Sequence, residues 1–382
     1  MHGDIQEKPD LLIVSDTAMW QTTNGNIAFE PVVREIEDFY PLFNKITWIG
    51  FRYPEAMISD NATALKKAKV DFIFLEHIGG GEIVNRLKML FQLPVHFFTI
   101  LKHIKKNGVI HARGPSLPAY FTLWIARFFK KPIYWYKYAG NWELETAPAS
   151  YIRQRNFLKK LPHVIGTING HWQGQQSHLL TFENPCFTKS ELEIAKTVAR
   201  KKDFEERLNL LFVGRLEKMK GFDRLIDALS EFGEDDGLGT IYFVGGGEET
   251  EKYKELAAET LKVDYEFTGA LKREALNELY KKSHIFCLPS LSEGFPKVLA
   301  ESAAFGCVPI VSDISCIGQY ILHEENGFLL KDISSEEIVW SIRQLLNDRV
   351  KAKSYSVAVN KIADNFTYEH YTERIQNNIL KV

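Results

Sequence analysis

The chain has 382 residues, of which 45 % are hydrophobic and 25 % charged, a composition that fits a folded globular protein and excludes wholesale disorder. This length exceeds one ordinary core and favours two domains of about 150–200 residues. The formal net charge of −2 is unevenly divided, because residues 1–185 carry 21 basic and 16 acidic side chains whereas the remainder carries 26 and 33.

Membrane-spanning and secreted classes are not indicated. The first ten residues are polar and lack the apolar segment of a signal peptide. No uninterrupted apolar run reaches the ~18 residues of a spanning helix. The four cysteines form no CxxC pair, which indicates buried thiols in a reducing compartment. We therefore expect a cytoplasmic protein.

The first half of the chain alternates short apolar runs with amphipathic helical patterns, which predicts buried parallel strands between helices. Helical patterns occupy 30–43 and 82–91, for example. This alternation predicts a doubly wound, Rossmann-like α/β domain over residues 1–185. The predicted strands cover 11–15, 46–50, 70–76, 108–112, 132–138 and 163–167.

Residues 83–142 contain ten Lys and Arg side chains and no acidic residue. Such a segment predicts a face that meets something anionic. One interpretation is contact with the anionic inner face of a membrane, since the helices here mix aromatic and basic residues. A soluble polyanionic acceptor is another, and helices that cover the sheet while their lysines reach water are a third. No nucleic-acid-binding module is recognisable, so nucleic acid is not an expected partner.

The second half repeats the scheme, with a domain join near Asn184-Pro185, a step that breaks regular structure. The second domain is therefore predicted over residues 186–365. Residues 366–382 are predicted to form a C-terminal helix that crosses back to the first domain. Two such domains would leave a cleft at the carboxyl ends of both sheets, where open α/β sheets bind ligands. The predicted strands cover 208–214, 240–247, 264–269, 284–290 and 308–313.

Cations follow the first strand of the second domain. Gly214 permits a tight exit, Arg215 comes next, and Lys220 precedes an amphipathic helix. An Arg fork, a Lys point charge and a helix N-terminus together favour a diphosphate site, although a solvated loop is the alternative. Glycine-rich exits at 79–81 and 245–247 would let the backbone approach a ligand closely, but each is also typical of a turn.

The segment PSLSEGFPKVLAESAAFG, residues 289–306, places two glutamates around a turn. Its helix is predicted to begin with Pro296 at the first position and to be closed by Gly306. Glu301 lies among apolar residues, where a carboxylate needs a partner, and a vicinal diol can donate two hydroxyl protons to it. A sugar donor carries two such diols, one on the ribose and one on the transferred hexose, with a diphosphate between them. Two glutamates on either side of a diphosphate-facing turn, Glu293 and Glu301, would match this arrangement. The alternatives are a helix-dipole partner and a solvated face.

These motifs, with VGRL at 213–216, TGAL at 268–271 and ENGFLL at 325–330, resemble the C-terminal half of retaining GT-B glycosyltransferases, family four, over roughly residues 205–335. The resemblance implies two Rossmann-like domains that face a central cleft. It implies transfer from a UDP- or GDP-sugar to a glycan or lipid-linked acceptor, with retention at the anomeric carbon, in cell-surface polysaccharide or glycolipid synthesis. It implies a nucleotide-sugar as co-substrate and no metal cofactor, since the sequence has no DxD or other metal-ligand cluster and two cations would take the place of a metal.

The resemblance also assigns roles to single residues. Glu301 would bind the nucleotide ribose and Glu293 the hydroxyls of the donor sugar. Arg215 and Lys220 would hold the diphosphate, so Glu293, Arg215 and Lys220 are the catalytic candidates. The other donor-binding candidates are Gly25, Gly214, Gly245, Gly269, Ala270, Leu271, Gly294, Phe295, Pro296, Lys297 and Val298.

The first half matches the family less closely. Only Asn24-Gly25-Asn26 stands where the family has a glycine-rich loop, and Arg113 stands about where it often has a histidine. His111 falls inside a strand, where a core role is expected. Arg113, Lys137 and Asn141 are the acceptor-side candidates. Two other functions remain open: another GT-B enzyme, such as a nucleotide-sugar epimerase or a phosphorylase, and a non-catalytic GT-B scaffold.

Overall fold

The computed structural model describes residues 7–59, 61–77 and 83–381, with side chains omitted for 83–90. The chain forms two compact units. The first holds the residues up to Glu183 and those from Tyr368 onward, and the second is Asn184–Thr367. The predicted boundaries lie two residues from these. The predicted glycine-rich exit at 79–81 lies outside the described residues.

The first unit contains a mainly parallel sheet with helices α1 (Glu30–Phe39), α2 (Ile83–Ile104), α3 (Leu117–Phe128) and α4 (Ala149–Lys159). Strands β5, β3, β1, β6, β7, β8 and β9 lie side by side in that order and are all parallel. The strands are β1 (Leu11–Thr22), β2 (Gly25–Phe29), β3 (Ile46–Arg52), β4 (Ala62–Ala64), β5 (Val70–Glu76), β6 (Val109–Gly114), β7 (Ile133–Tyr138), β8 (Val164–Ile168) and β9 (Leu179–Thr181).

The first four residues of β1, Leu11 to Val14, show why a central strand begins with a continuous apolar run. Leu12 and Val14 pack into one hydrophobic cluster, whereas Leu11 and Ile13 pack into another, and all four are fully buried. Successive side chains of a strand point to opposite faces, so a strand covered on both faces needs apolar residues at every position.

The predicted end of the first strand at residue 15 is wrong, because β1 continues to Thr22. Its second half pairs antiparallel with β2, and β2 pairs with β4. Gly25 begins β2 at the turn of this hairpin with φ of +117°, a conformation that favours glycine. Asn24-Gly25-Asn26, which stands where the family has a glycine-rich loop, therefore forms the turn of a hairpin.

The second unit holds a fully parallel sheet in the order β12-β11-β10-β13-β14-β15. Its strands are β10 (Leu208–Val213), β11 (Leu238–Val244), β12 (Tyr265–Gly269), β13 (Ile285–Leu288), β14 (Val308–Ser312) and β15 (Phe328–Leu330). Its helices are α5 (Lys189–Lys201), α6 (Phe222–Leu229), α7 (Thr250–Thr260), α8 (Arg273–Lys282), α9 (Lys297–Ala304), α10 (Ser335–Asn347) and α11 (Arg349–Asn360).

Both strand orders contain a topological switch point, where the direction of winding reverses. In the second unit the switch point lies between β10 and β13, and in the first it lies between β1 and β6. Ligands of doubly wound sheets bind beside the carboxyl ends of the strands at this point. The fold thus gives each unit one favoured position for a site.

Two helix ends differ from the sequence prediction. Helix α9 begins at Lys297, so Pro296 is the residue before the helix rather than its first member. Gly306 follows the helix with φ of +72°, as expected for a glycine that closes one. Helix α2 extends beyond the predicted residue 91 and contains Pro94.

The C-terminal segment forms α12 (Tyr368–Arg374) and a π-helical turn (Ile375–Leu380). Tyr371, Ile375 and Ile379 are buried in the core of the first unit, among residues of β1 and α1. The chain therefore returns to its first unit through apolar packing. Of the helices that the structure describes, none is both long and apolar enough to cross a bilayer.

Candidate functional site

Three glycines at the ends of neighbouring strands of the second sheet lie where main-chain hydrogen bonds join those ends. The Gly214 N–H donates to the carbonyl of Val244 at 2.9 Å, and the Gly245 N–H donates to that of Gly269 at 2.9 Å. Gly245 has φ of +126°, and a Cβ there would lie 1.9 Å from the carbonyl oxygen of Gly214. Only glycine permits this approach, so the exits of β10, β11 and β12 form one connected edge.

Glu293 and Lys220 form an ion pair at the switch point of the second sheet. Nζ of Lys220 lies 2.5 Å from Oε1 of Glu293, and Oγ of Ser290 donates to the same oxygen at 2.9 Å. The side chains are 22 % and 12 % exposed, so a ligand can still reach the pair. The structure thus brings together two predicted catalytic residues that are 73 positions apart.

The loops that carry this pair are held against each other. Gly221 adopts φ of +70°, and a Cβ there would lie 2.0 Å from the carbonyl oxygen of Pro289. The Leu291 N–H donates to the carbonyl of Met219 at 2.9 Å. Lys220 and Glu293 therefore meet because the backbones on either side of them touch.

Arg215, the third catalytic candidate, does not join this pair. Its side chain is 71 % exposed, and one Nη atom lies 2.9 Å from Oε1 of Glu217. Exposed ion pairs contribute about 0–1 kcal/mol to stability, so Arg215 can reorient toward an anionic ligand at little cost.

Glu301 is paired inside the protein, with partners that the sequence analysis did not identify. Nη1 of Arg273 lies 3.2 Å from its Oε1, and the hydroxyl of Tyr280 donates to its Oε2 at 3.2 Å. Both partners lie on α8, seven positions apart and hence on one helix face. That spacing shows that the two side chains share a face, but nothing local in the sequence links that face to Glu301.

The partners of Glu301 are themselves fixed. Burial, and then the neighbouring Glu301 carboxylate, raise the pKa of Tyr280 well above its ordinary value, so the hydroxyl stays protonated and can donate. Arg273 also donates to the carbonyl of Cys186 at 2.6 Å and lies 3.5 Å from a carboxylate oxygen of Glu191. The Glu301 carboxylate is thereby held in one orientation.

The remaining donor-side candidates surround the same turn or follow β12. The carbonyl of Gly294 accepts a hydrogen bond from Oγ of Ser315 at 2.7 Å. The ring of Phe295 is buried and stacks on Phe366, with ring centroids 4.8 Å apart. The other positions are Pro296, which is buried, Lys297, Val298 and Leu271, which are partly buried, and Ala270, which is exposed.

A pocket of about 400 Å³ lies at the switch point of the first sheet. Asp16 and Thr17 of β1 line it together with Arg113 of β6 and Lys137 of β7. Two of the three acceptor-side candidates therefore share a pocket. The side chain of the third, Asn141, accepts a hydrogen bond from the main chain two residues on.

Glu35 of α1 explains how two cations can stand in this pocket. Its carboxylate is 1 % exposed and lies 2.6 Å from Nη1 of Arg113 and 2.8 Å from Nζ of Lys137. The hydroxyl of Tyr371 donates to it at 3.1 Å. A buried carboxylate of this kind requires such partners, so structural pairing accounts for much of the role of both cations. The sequence analysis missed Glu35 and Tyr371.

His111 lies in the core, as expected from its position inside a strand. Its ring is fully buried and stacks on Trp135 with centroids 3.5 Å apart. Burial, and then the charge of Arg113, lower the pKa of His111 well below its ordinary value, so the ring is neutral near pH 7.

The two Rossmann-like units and the motifs at the strand exits of the second define a glycosyltransferase of the GT-B fold. The chain belongs to the family glycosyl transferases group 1, whose sequence model matches residues 194–361. It is 31 % identical over 312 residues to an uncharacterized glycosyltransferase of Haemophilus influenzae, an alignment that covers 75 % of this chain and 84 % of the relative.

Solved structures share the fold over almost the whole chain. A glycosyltransferase from Rickettsia africae matches with a TM-score of 0.66 at 18 % identity, covering 98 % of this chain and 99 % of that one. HepE from Anabaena, solved in complex with UDP and glucose, matches with a TM-score of 0.67 at 14 % identity, covering 98 % and 100 %.

Proposed function

We propose that this glycosyltransferase moves a sugar from a UDP- or GDP-sugar to a glycan or lipid-linked acceptor, with retention at the anomeric carbon, in the synthesis of a cell-surface polysaccharide or glycolipid. The observation that carries the proposal is the pairing of Lys220 with Glu293 at the switch point between β10 and β13. A cation and a carboxylate stand there side by side, beside a glycine-lined edge, as a sugar diphosphate requires.

The donor would lie along the edge formed by the exits of β10 to β13. Lys220 would contact the diphosphate, and Glu293, released from Lys220, would accept hydrogen bonds from the hydroxyls of the sugar. Arg215 would turn from Glu217 toward the same phosphates. Glu301 would accept two hydrogen bonds from the ribose diol, with Arg273 holding its orientation.

In the chemical step, the bond between the anomeric carbon and the diphosphate oxygen breaks, and a bond to the acceptor oxygen forms on the same face of the sugar. The leaving diphosphate takes the proton of the acceptor hydroxyl, so no separate base is required. Lys220 and Arg215 stabilise the charge that develops on the leaving oxygens. The protein contributes position and electrostatics, and we propose that no metal is needed.

The pocket of the first unit supports an acceptor site there. Its lining combines the carboxylate of Asp16 with the cations Arg113 and Lys137. Burial raises the pKa of Asp16, although the charge of Arg113 opposes the shift. Such a polar lining suits a hydroxyl-rich acceptor.

The test is donor turnover. The protein is incubated with UDP- and GDP-sugars, with and without a glycan and lipid extract, and the release of nucleoside diphosphate is measured. We expect acceptor-dependent release, reduced about a hundredfold in Lys220→Ala. Lys282→Ala, an exposed lysine at the opposite end of β13, is the matched control and should leave the rate unchanged.

The alternatives give different results in the same assay. An epimerase would convert the donor sugar in the absence of any acceptor. A scaffold would release no nucleotide under any condition. The anomeric configuration of the isolated product, read by NMR, then separates retention from inversion.

A further inference from the structure

Helices α2 and α3 of the first unit expose large apolar side chains side by side. Phe98 of α2 is 64 % exposed and Phe128 of α3 is 78 % exposed. Three further exposed side chains belong to the same surface, and we name all five the α2–α3 face: Phe91, Val95, Phe98, Trp124 and Phe128. Exposed apolar surface of this extent marks a contact site rather than ordinary solvent-facing residues.

A groove between the two helices adjoins this surface and shares Trp124 and Phe128 with it. It has a volume of about 460 Å³ and is lined by Phe97 and Leu101 of α2 and by Phe121, Trp124 and Phe128 of α3. The rings of Phe97 and Phe121 meet edge to face with centroids 5.7 Å apart, so the two helices are fixed to each other. The groove therefore presents a preformed apolar surface.

The exposed residues of each helix form a single stripe. In α2, Phe91, Val95 and Phe98 are spaced by four and three positions, and Lys102 continues the stripe by another four. In α3, Trp124 and Phe128 are four positions apart. Residues with this spacing lie on one side of a helix, so each stripe is apolar along its length and basic beyond its carboxyl end.

The cations lie at one end of the face. Strands β6 and β7 are parallel, and α2 and α3 lead directly into them, so both helices run in the same direction and end together. All six basic side chains near these ends are exposed: Lys102, Lys105, Lys106, Arg127, Lys130 and Lys131. No acidic residue between 83 and 142 offsets them.

We propose that the α2–α3 face docks on an anionic lipid bilayer, with its aromatic side chains among the acyl chains and its lysines at the headgroups. Charge complementarity selects this occupant. In a two-fold dimer formed through this face, the six cations of one chain would lie close to the same six cations of the other. Residues 83–142 contain no acidic side chain that could pair with them, so the contact would be repulsive. An anionic membrane instead pairs each cation while lipid chains cover the rings.

Sedimentation with vesicles tests the proposal without any nucleotide or acceptor, so its outcome is independent of the proposed donor chemistry. The full chain should bind phosphatidylcholine vesicles that contain phosphatidylglycerol, and should bind pure phosphatidylcholine vesicles far more weakly. Phe98→Ser with Phe128→Ser should weaken binding about tenfold or more. Val350→Ser, in an exposed apolar residue of the second unit, is the matched control and should bind as the wild type.

A charge series distinguishes docking from apolar adhesion. Replacing Lys102, Lys105 and Lys106 by Gln should weaken binding about a hundredfold at low salt, since each lysine near an anionic surface contributes about fivefold. The same change at Lys252, Lys254 and Lys262 of the second unit is the control. Unchanged unfolding midpoints show that the variants fold.

Three results would overturn the proposal. One is equal binding by the wild type and both sets of α2–α3 variants. Another is absence of binding to anionic vesicles. The third is a wild-type dimer that the Phe98→Ser, Phe128→Ser variant converts to a monomer, which would assign the face to a second copy of the chain.

Discussion

Glu301 is a carboxylate on a mainly apolar helix, and its environment shows how a half-buried acid is stabilised and oriented. Arg273 and Tyr280 satisfy its two oxygens before any ligand arrives. A carboxylate that is paired in this way avoids the penalty of a buried, unpartnered charge and loses little freedom on binding. In the proposed donor complex, its remaining lone pairs would accept hydrogen bonds from the ribose diol.

Replacing Arg273 by Met should weaken the binding of nucleoside diphosphate about tenfold, because Glu301 loses the charge-assisted hydrogen bond that orients it. Tyr280→Phe removes a hydroxyl alone and should act in the same direction. Titration calorimetry measures both effects. Arg207→Met, in an exposed residue at the start of the second sheet, is the control. Unchanged or tighter binding by both site variants would contradict the positioning role of Arg273.

The lowered pKa of the partly buried side chain of His284 predicts that the protein loses stability in acid. Its Nδ1 accepts a hydrogen bond from the main-chain N–H of Asn209 at 3.0 Å. Burial, and then the charge of Lys202, lower the pKa of His284 from 6.5 to about 4. As the pH falls from 6.5 to about 4, His284 is protonated in the unfolded chain but stays neutral in the folded one. Up to about 3 kcal/mol of unfolding free energy is therefore lost over this range.

His284→Asn keeps an acceptor near the same place and removes the titration. The wild type should therefore lose more thermal stability between about pH 7 and about pH 5 than the variant does. His96 and His111 also have lowered pKa values and remain in both proteins, so the difference between the two pH profiles is the informative quantity. Identical profiles would refute the assignment.

At the scale of elements, the site depends on backbones that touch at the strand exits. Gly245→Ala would place a Cβ against the carbonyl oxygen of Gly214, so backbone must move. Gly269 also has positive φ, but a Cβ there meets nothing within 4 Å. We expect Gly269→Ala to cost about 1–2 kcal/mol from conformation alone and Gly245→Ala clearly more. Equal losses in denaturant unfolding would show that the exits are not in close contact.

The strength of sequence prediction differs between elements for physical reasons. Every predicted strand corresponds to an observed one. Strands such as β6 and β14 are apolar along their length because they are buried on both faces, whereas β5 and β12 are only partly buried and were recognised from their aromatic and aliphatic residues. Edge strands such as β9 and β15 were not predicted, since three-residue strands depend on their neighbours. The end of β1 was misplaced because the apolar run stops at Val14, whereas the strand continues through polar residues and then pairs with β2 in a hairpin.

Side-chain pairing was less predictable than the elements. The segment with Glu293 and Glu301 was recognisable because its spacing is local. The choice of Arg273 as a partner for Glu301, or of Glu35 for Arg113, depends on contacts between distant parts of the chain. The hydrogen bond from Tyr371 to Glu35 joins residues 336 positions apart, and no periodicity reports such a contact.

At the scale of the whole molecule, the chain leaves the first unit at Glu183 and returns to it at Tyr368. Ile375→Ala should destabilise the first unit by about 2–5 kcal/mol, because it opens a cavity in a fully buried position. Hydrogen exchange should rise in β1 and β6 and stay unchanged in β10 and β13. Val350→Ala, in an exposed residue, is the control. Equal acceleration in both units would contradict this division.

Titration calorimetry with UDP, GDP and ADP tests most directly whether the carboxyl edge of the second sheet binds a nucleoside diphosphate. We predict that one nucleotide binds the wild type and the Lys282→Ala control with equal affinity. Binding should be weakened at least about tenfold by Glu301→Ala and by Arg215→Ala. If no nucleotide binds, or if both site variants bind as tightly as the control, the site is not where the fold and its motifs indicate.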